Sequence, residues 1–178
     1  MGRISHDIDW KGLVVLVVSD TSPITNLAAV GRLDLLRALY TQIAIPEEVR
    51  DELTLGGTGI NPGANEVNYD SWFVVAHVET QQRDQLAQTY RALDLGEAAA
   101  LALAIARSAD LVLLDDKAAR RAASALQIAH VGLVGALLVA KSRGLTPQIK
   151  PILDDLRLHA GFRLANKTYQ EALRRAGE

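Results

Sequence analysis

Asp20, Glu97 and the pair Asp115-Asp116 lie in three short acidic signatures: Val-Val-Ser-Asp-Thr-Ser-Pro, Leu-Asp-Leu-Gly-Glu and Leu-Val-Leu-Leu-Asp-Asp. The first and third directly follow apolar runs that read as buried parallel strands, and all three precede strong helical patterns. In an open α/β sheet that junction is the carboxyl edge of the strands, where ligands bind. Carboxylates gathered there from distant parts of a chain repel one another unless a cation sits between them. The spacing therefore points to a divalent-metal site and, with it, an active site.

Each acid also has a plainer account. Asp20 beside Ser22 could satisfy the first N–H groups of a helix, and Asp115-Asp116 could turn and cap the chain into the next one. Glu97 falls in the first turn of its helix, where the dipole favours a carboxylate, and Glu47 and Glu48 are explained in the same way. Glu52 lies a full turn beyond them and is not, which makes it the candidate for a fourth acid. The weight of the pattern is that all these acids fall at one edge of one inferred sheet.

That sheet is legible from the runs between the acids. Leu13–Ser19 is Val-rich and continuous, as a central strand covered on both faces should be. Ser22-Pro23 reads as a cap followed by proline at the first helical position, with helical patterns over Ile24–Val30 and Arg32–Tyr40. A strand over Gln42–Ile45 leads to a proline-started helix, Pro46–Leu53. Gly56 to Gly63 reads as a loop, Trp72–Val78 as a strand and Thr80–Leu93 as a polar helix. Gly96–Ala109 is rich in alanine and leucine and predicts a buried helix. Leu111–Leu114 and Ile128–Val131 read as strands, each followed by a helix (Lys117–Leu126 and Gly132–Ser142). Two more helices are expected near Ile149–His159 and Lys167–Ala176. Strands alternating with helices predict a doubly wound α/β domain with a parallel sheet. Residues 1–11 read as an extension and 12–178 as a single domain.

Composition narrows the chemistry further. With 178 residues, 49% of them hydrophobic, the chain can bury a good core in one domain. It has no cysteine, which excludes disulfides, zinc–thiolate sites and thiol nucleophiles. A polar, acid-containing start unlike a signal peptide, and apolar stretches too short to span a bilayer, suggest the cytoplasm. Residues 1–116 hold 8 basic and 17 acidic side chains, against 11 and 4 in 117–178. An acidic pocket bordered by a basic segment suits a metal-dependent enzyme acting on a polyanion.

Taken in order, the motifs resemble one family. Ser19-Asp20-Thr21-Ser22-Pro23-Ile24 with Asn26-Leu27 looks like the opening of PIN-domain proteins. Pro46-x-x-Val49-x-x-Glu52-Leu53, Leu95-Gly96-Glu97-Ala98 and Leu113-Leu114-Asp115-Asp116-Lys117-x-x-Arg120 continue the likeness. So does Val131-Gly132-Leu133-Val134-Gly135, and the whole spans Val17 to about Arg174. The likeness is to a largely uncharacterised prokaryotic subfamily of toxin-like proteins. It implies a PIN-like three-layer α/β/α fold with a central parallel sheet, in which three or four acids hold Mg²⁺ or Mn²⁺. Many similar proteins are endoribonucleases, including VapC-type toxins paired with an antitoxin. Carried over by position, Asp20 would be the central ligand, Ser22 a polar neighbour, Glu52 the second acid and Glu97 the third. Asp115 or Asp116 would be the fourth. The chain departs from toxin-like relatives in having Leu114-Asp115-Asp116 where Thr-x-Asp is frequent, and Glu in place of Asp as the third acid.

The expected activity is hydrolysis of RNA phosphodiester bonds by metal-activated water, since oxygen ligands without His or Cys select Mg²⁺ or Mn²⁺ over zinc. Lys117, Arg120 and Arg121, or else Lys141 and Arg143, would meet the RNA backbone. An antitoxin and a second copy of the chain are the candidate protein partners. The alternative is a non-catalytic PIN-like module that binds nucleic acid or protein. A haloacid-dehalogenase-type phosphatase is excluded because Ser22 stands where its second Asp must be. A nucleotide-binding loop is excluded because no P-loop or G-x-G-x-x-G follows a strand.

Overall fold

The Val-rich and Leu-rich runs form the centre of the molecule. In a computed structural model of the chain, residues 15–55 and 61–178 are described. The expected extension over residues 1–11, the start of the Leu13–Ser19 run and most of the glycine loop (56–60) lie outside the described residues. Among the described residues, five strands build one sheet: β1 (Val17–Ser19), β2 (Ile43–Pro46), β3 (Phe73–Ala76), β4 (Leu111–Leu113) and β5 (His130–Val131). Every neighbouring pair is parallel, in the order β3-β2-β1-β4-β5. The chain winds outward from β1 through β2 to β3, then returns to the other side of β1 for β4 and β5. The order therefore reverses between β1 and β4, and a crevice forms at such a switch point.

Alternation along the strands divides the core into two layers. Val17, Ile43, Ile45 and Leu113 face one cluster, which includes residues of α1 (Thr21–Ala29), α2 (Asp34–Tyr40), α3 (Glu47–Leu55), α8 (Leu133–Ser142), α9 (Lys150–His159) and α10 (Asn166–Ala176). Val18, Ala44, Val112 and Leu114 face the other, built from α6 (Leu95–Arg107) and α7 (Lys117–Ala125), with Leu86 and Ala87 of α5 (Thr80–Thr89) at its margin. Period-two side chains on both faces of a parallel sheet give the three-layer α/β/α sandwich expected from the sequence.

Helix α6 is buried continuously from Gly96 to Ala104. Five of those nine positions are alanine, so the helix can lie close against β1, β2 and β4. At the far end of the chain, Glu178 ties three helices together. Its Oε1 accepts from Lys141 Nζ at 2.6 Å and from the Ile149 N–H at 2.8 Å, and its Oε2 accepts from the Lys150 N–H at 2.9 Å. That carboxylate supplies partners for N–H groups that the start of α9 would otherwise leave open. No helix among the described residues is long and apolar enough to cross a membrane.

Two local expectations give way to the structure. Pro46 does not start a helix; it is the last residue of β2, in register with Ala76. Helix α1 starts at Thr21, so Asp20 takes the N-cap position and Ser22-Pro23 lie inside the first turn. A short helix, α4 (Ala64–Tyr69), follows Gly63 in a stretch to which the sequence pattern assigned no element. Gly63 has φ of 91°, which explains the glycine at the helix entry.

Ala100 is fully buried in the α6 layer. Ala100→Leu is expected to overpack this layer and lower stability by about 1–3 kcal/mol in urea or thermal unfolding. It should also weaken any metal-dependent property, because Glu97 lies one turn away on the same helix.

Candidate active site

Four acids come together at this edge, with Asp20, Asp94 and Glu97 at helix starts and Glu52 in the second turn of α3. Strand β1 delivers Asp20 to the carboxyl edge, where its N–H donates to Leu113 O at 3.1 Å and so ties it to β4 across the switch point. Asp20 is 4% exposed, and although it sits at the N-cap of α1 its carboxylate makes no capping hydrogen bond. Burial pushes this carboxyl up to about 7, the charges of Asp94, Glu97 and Glu52 push the same way, and the Thr21 amide opposes them.

Glu97 is held by a reciprocal pair of bonds at the start of α6. Asp94 Oδ1 accepts from the Glu97 N–H at 2.8 Å, and Glu97 Oε2 accepts from the Asp94 N–H at 3.0 Å. This is a capping box with Asp in the first position. Burial raises the Glu97 carboxyl to about 7, with Asp94, Asp116 and Glu52 adding repulsion and the Asp94 amide opposing them. Glu52, on α3, accepts a hydrogen bond from Thr21 Oγ1 at 2.6 Å. A Cβ placed on Gly96 would lie 3.1 Å from Glu52 Oε2, 3.5 Å from Asp20 Oδ1 and 3.6 Å from Asp94 Oδ1. Those three carboxylates therefore surround one small space. It opens beside a cavity of about 420 Å³ lined by Glu48, Asp51, Glu52, Asp94, Leu95 and Gly96.

The two adjacent aspartates at the end of β4 have different surroundings. Asp116 is exposed and caps α7, its Oδ1 accepting from the Ala118 and Ala119 N–H groups at 2.5 and 3.1 Å. Its charge bears on Glu97. Asp115 turns inward: its Oδ1 accepts from the Leu133 N–H at 2.7 Å, holding the start of α8, and its Oδ2 is buried without a hydrogen-bond partner. Burial raises its pKa against the Leu133 amide and the neighbouring Arg120 and Asn26 side chains.

The expected substrate contacts also separate. Arg120 donates through Nη1 to the carbonyls of Leu114, at 3.2 Å, and Asp115, so it staples the turn between β4 and α7. Lys117 and Arg121 are exposed on α7. Ser22 is half-exposed, and it is Thr21 that bonds Glu52. Around the rim, acids have basic partners: Glu47 with His77 at 2.9 Å, Glu48 with Arg83 at 2.8 Å and Asp51 with Arg50 at 2.6 Å. Among the described residues, Asp20, Glu52, Asp94, Glu97 and Asp116 make no salt bridge.

Sequence reasoning missed Asp94, Thr21 and Gly96. Asp94 carried a signal, since Asp-x-x-Glu before an apolar helix is the pattern of a capping box. Thr21 and Gly96 carried none, because their roles depend on where Glu52 ends up. No group of three or more acidic or histidine side chains among the described residues is already arranged as a metal ligand set. The donor chemistry nevertheless fits Mg²⁺ or Mn²⁺, being oxygen alone with no imidazole or thiolate in the cluster.

The raised carboxyls have a consequence for stability. Their folded pKa values, about 7, lie above the ordinary 3.8 and 4.5, so the folded state binds protons that the unfolded state releases. This contribution is lost as pH rises through about 7 and is fully present only below the unfolded values. In EDTA, wild type is expected to gain stability relative to Asp20→Asn as pH falls below about 7, a difference that paired thermal melts will read.

The family model DUF3368, described as a PIN domain, matches residues 16–178. A search of curated proteins gave no match.

Proposed function

The chain belongs to the PIN-domain family, and from that premise we propose that it is a Mg²⁺- or Mn²⁺-dependent endoribonuclease hydrolysing RNA phosphodiester bonds, of the kind found in toxin–antitoxin pairs. The PIN fold is nuclease-type, and PIN domains are generally dependent on divalent metal. The observation that carries the proposal is the meeting of Asp20, Glu52 and Asp94 around the space above Gly96, with Glu97 close enough to raise the Asp20 carboxyl and no basic partner among the four. Carboxylates left unpaired at a switch point, while those of the rim are paired, are what a cation site requires.

In this reading Asp20, Glu97 and Asp116 hold the ion and Glu52 completes the acidic set. When bound, the ion supplies an activated water and neutralises charge on the phosphate. Asp115 acts through the scaffold: by bonding Leu133 it fixes the turn from which Asp116 projects. Arg120 supports the same turn through its two carbonyls. Lys117 and Arg121 are left to meet the phosphate backbone, where they position RNA without reading its sequence. In a toxin role the chain would be paired with an antitoxin.

A non-catalytic module is the second reading. It is favoured by the engagement of Glu97 and Asp116 in helix caps, which is a sufficient structural use for both. The test is cleavage of a mixed panel of structured and single-stranded RNA with Mn²⁺, Mg²⁺ or EDTA. Asp20→Asn is expected to lose more activity than the roughly 10–100-fold typical of outer-shell changes. Equal behaviour of wild type and variant, with no cleavage above the EDTA control, would falsify the nuclease proposal.

Lys117→Ala and Arg121→Ala should raise KM with little change in kcat, since a backbone contact binds ground and transition states alike. Each should also lower the salt dependence of RNA binding by about one unit of slope. Titrations of catalytically inactive protein at several salt concentrations will measure this.

A further inference from the structure

Glu52 reaches the acidic centre from the side of α3 that its neighbours leave. Asp51, one residue earlier, is paired with Arg50, and Glu48, one turn earlier, with Arg83. A glutamate on a helix surface has several rotamers of similar energy, so something must select the one that turns toward Asp20. Both ends of the residue are held. Asn61 Nδ2 donates to the Glu52 carbonyl at 3.0 Å, and Thr21 Oγ1 donates to Oε2 at 2.6 Å.

Gly96 stands against the same oxygen. A Cβ there would be 3.1 Å from Glu52 Oε2, tighter than an ordinary contact. Gly96 is not among the positive-φ residues, so the backbone does not require glycine at that position. Helix propensity argues against it as well. What explains the glycine is the space it leaves for Glu52.

We propose that Thr21 and Gly96 are positioning residues that clamp Glu52 toward Asp20, Thr21 by its hydroxyl and Gly96 by its missing side chain. The inference rests on the nuclease reading and adds to it a pair of residues that touch neither metal nor RNA. Thr21 begins the helix that follows Asp20, and Gly96 lies between Asp94 and Glu97. The clamp therefore couples Glu52 to the chain segments that carry Asp20, Asp94 and Glu97. A methyl in place of the hydroxyl, or a methyl in place of the glycine hydrogen, should each release Glu52 while leaving the fold intact.

The test compares wild type with Thr21→Val, Thr21→Ser and Gly96→Ala by thermal shift across a Mn²⁺ titration. Thr21→Val and Gly96→Ala should need roughly 10–100-fold more Mn²⁺ for half-maximal stabilisation. Thr21→Ser keeps the hydroxyl and should match wild type. In EDTA all four should melt within roughly 2–4 °C of one another, which separates positioning from unfolding. The Glu52 side-chain carboxyl ¹³C resonance of the metal-free protein should move in Thr21→Val and Gly96→Ala and stay in place in Thr21→Ser. Wild-type Mn²⁺ dependence in both Thr21→Val and Gly96→Ala overturns the clamp and leaves the nuclease reading standing. A wild type that neither takes up Mn²⁺ nor cleaves RNA removes the nuclease reading instead. The carboxyl resonance then decides the clamp by itself: unmoved in Thr21→Val, it is overturned; moved, Thr21 still sets Glu52.

Discussion

Asp20 is the residue around which the molecule is arranged. Its backbone belongs to the sheet, through the bond from its N–H to Leu113, while its carboxylate is buried beside three other carboxylates. Burial and like charge both oppose ionisation, and nothing among the described residues answers them with a positive charge. An arrangement of that kind persists only where the surrounding packing over-determines it. The two-layer core supplies that packing: Val17 and Val18, earlier in the same strand, face opposite layers and are fully buried. The strain is local, and the fold that imposes it is ordinary.

Helix starts do double duty at this edge. Glu97 and Asp94 close a capping box, and Asp116 caps α7, so each carboxylate is oriented by backbone N–H groups that would otherwise lack partners. Capping fixes one oxygen of each group, which leaves the direction of the other determined by the helix. Rigid elements position functional groups better than loops do, and here the rigid element is the first turn itself. The alanine-rich face of α6 completes the arrangement by letting that first turn approach the sheet closely.

Charge is sorted with the same economy. The acids of the rim are partnered by His77, Arg83 and Arg50, and the basic Arg120 is drawn into the β4–α7 turn by two carbonyls. Negative potential is therefore concentrated at the centre, while Lys117 and Arg121 are exposed on α7. The sequence shows only the coarse form of this, an acidic first part followed by a basic second part.

Much of the design was legible without coordinates. The apolar runs before Asp20 and Asp115, the alternation of strands with helices and the buried character of Gly96–Ala109 all follow from period and composition, which are local properties. Those properties determined the parallel sheet and the edge at which the acids gather. Tertiary structure decided what depends on a partner from elsewhere in the chain. Asp115 and Asp116 have the same chemistry and adjacent positions, yet the N–H of Leu133 draws one inward while the start of α7 keeps the other at the surface. Ser22 and Thr21 are equally plausible neighbours of Asp20 in sequence, but only Thr21 lies where α3 brings Glu52. Gly96 reads as a poor helix former until three carboxylates are seen to crowd its missing side chain. A hydrogen bond or a steric gap between residues distant in sequence leaves no periodic trace, and for that reason the acidic signatures at the strand ends could be read from the chain while the contacts that orient them could not.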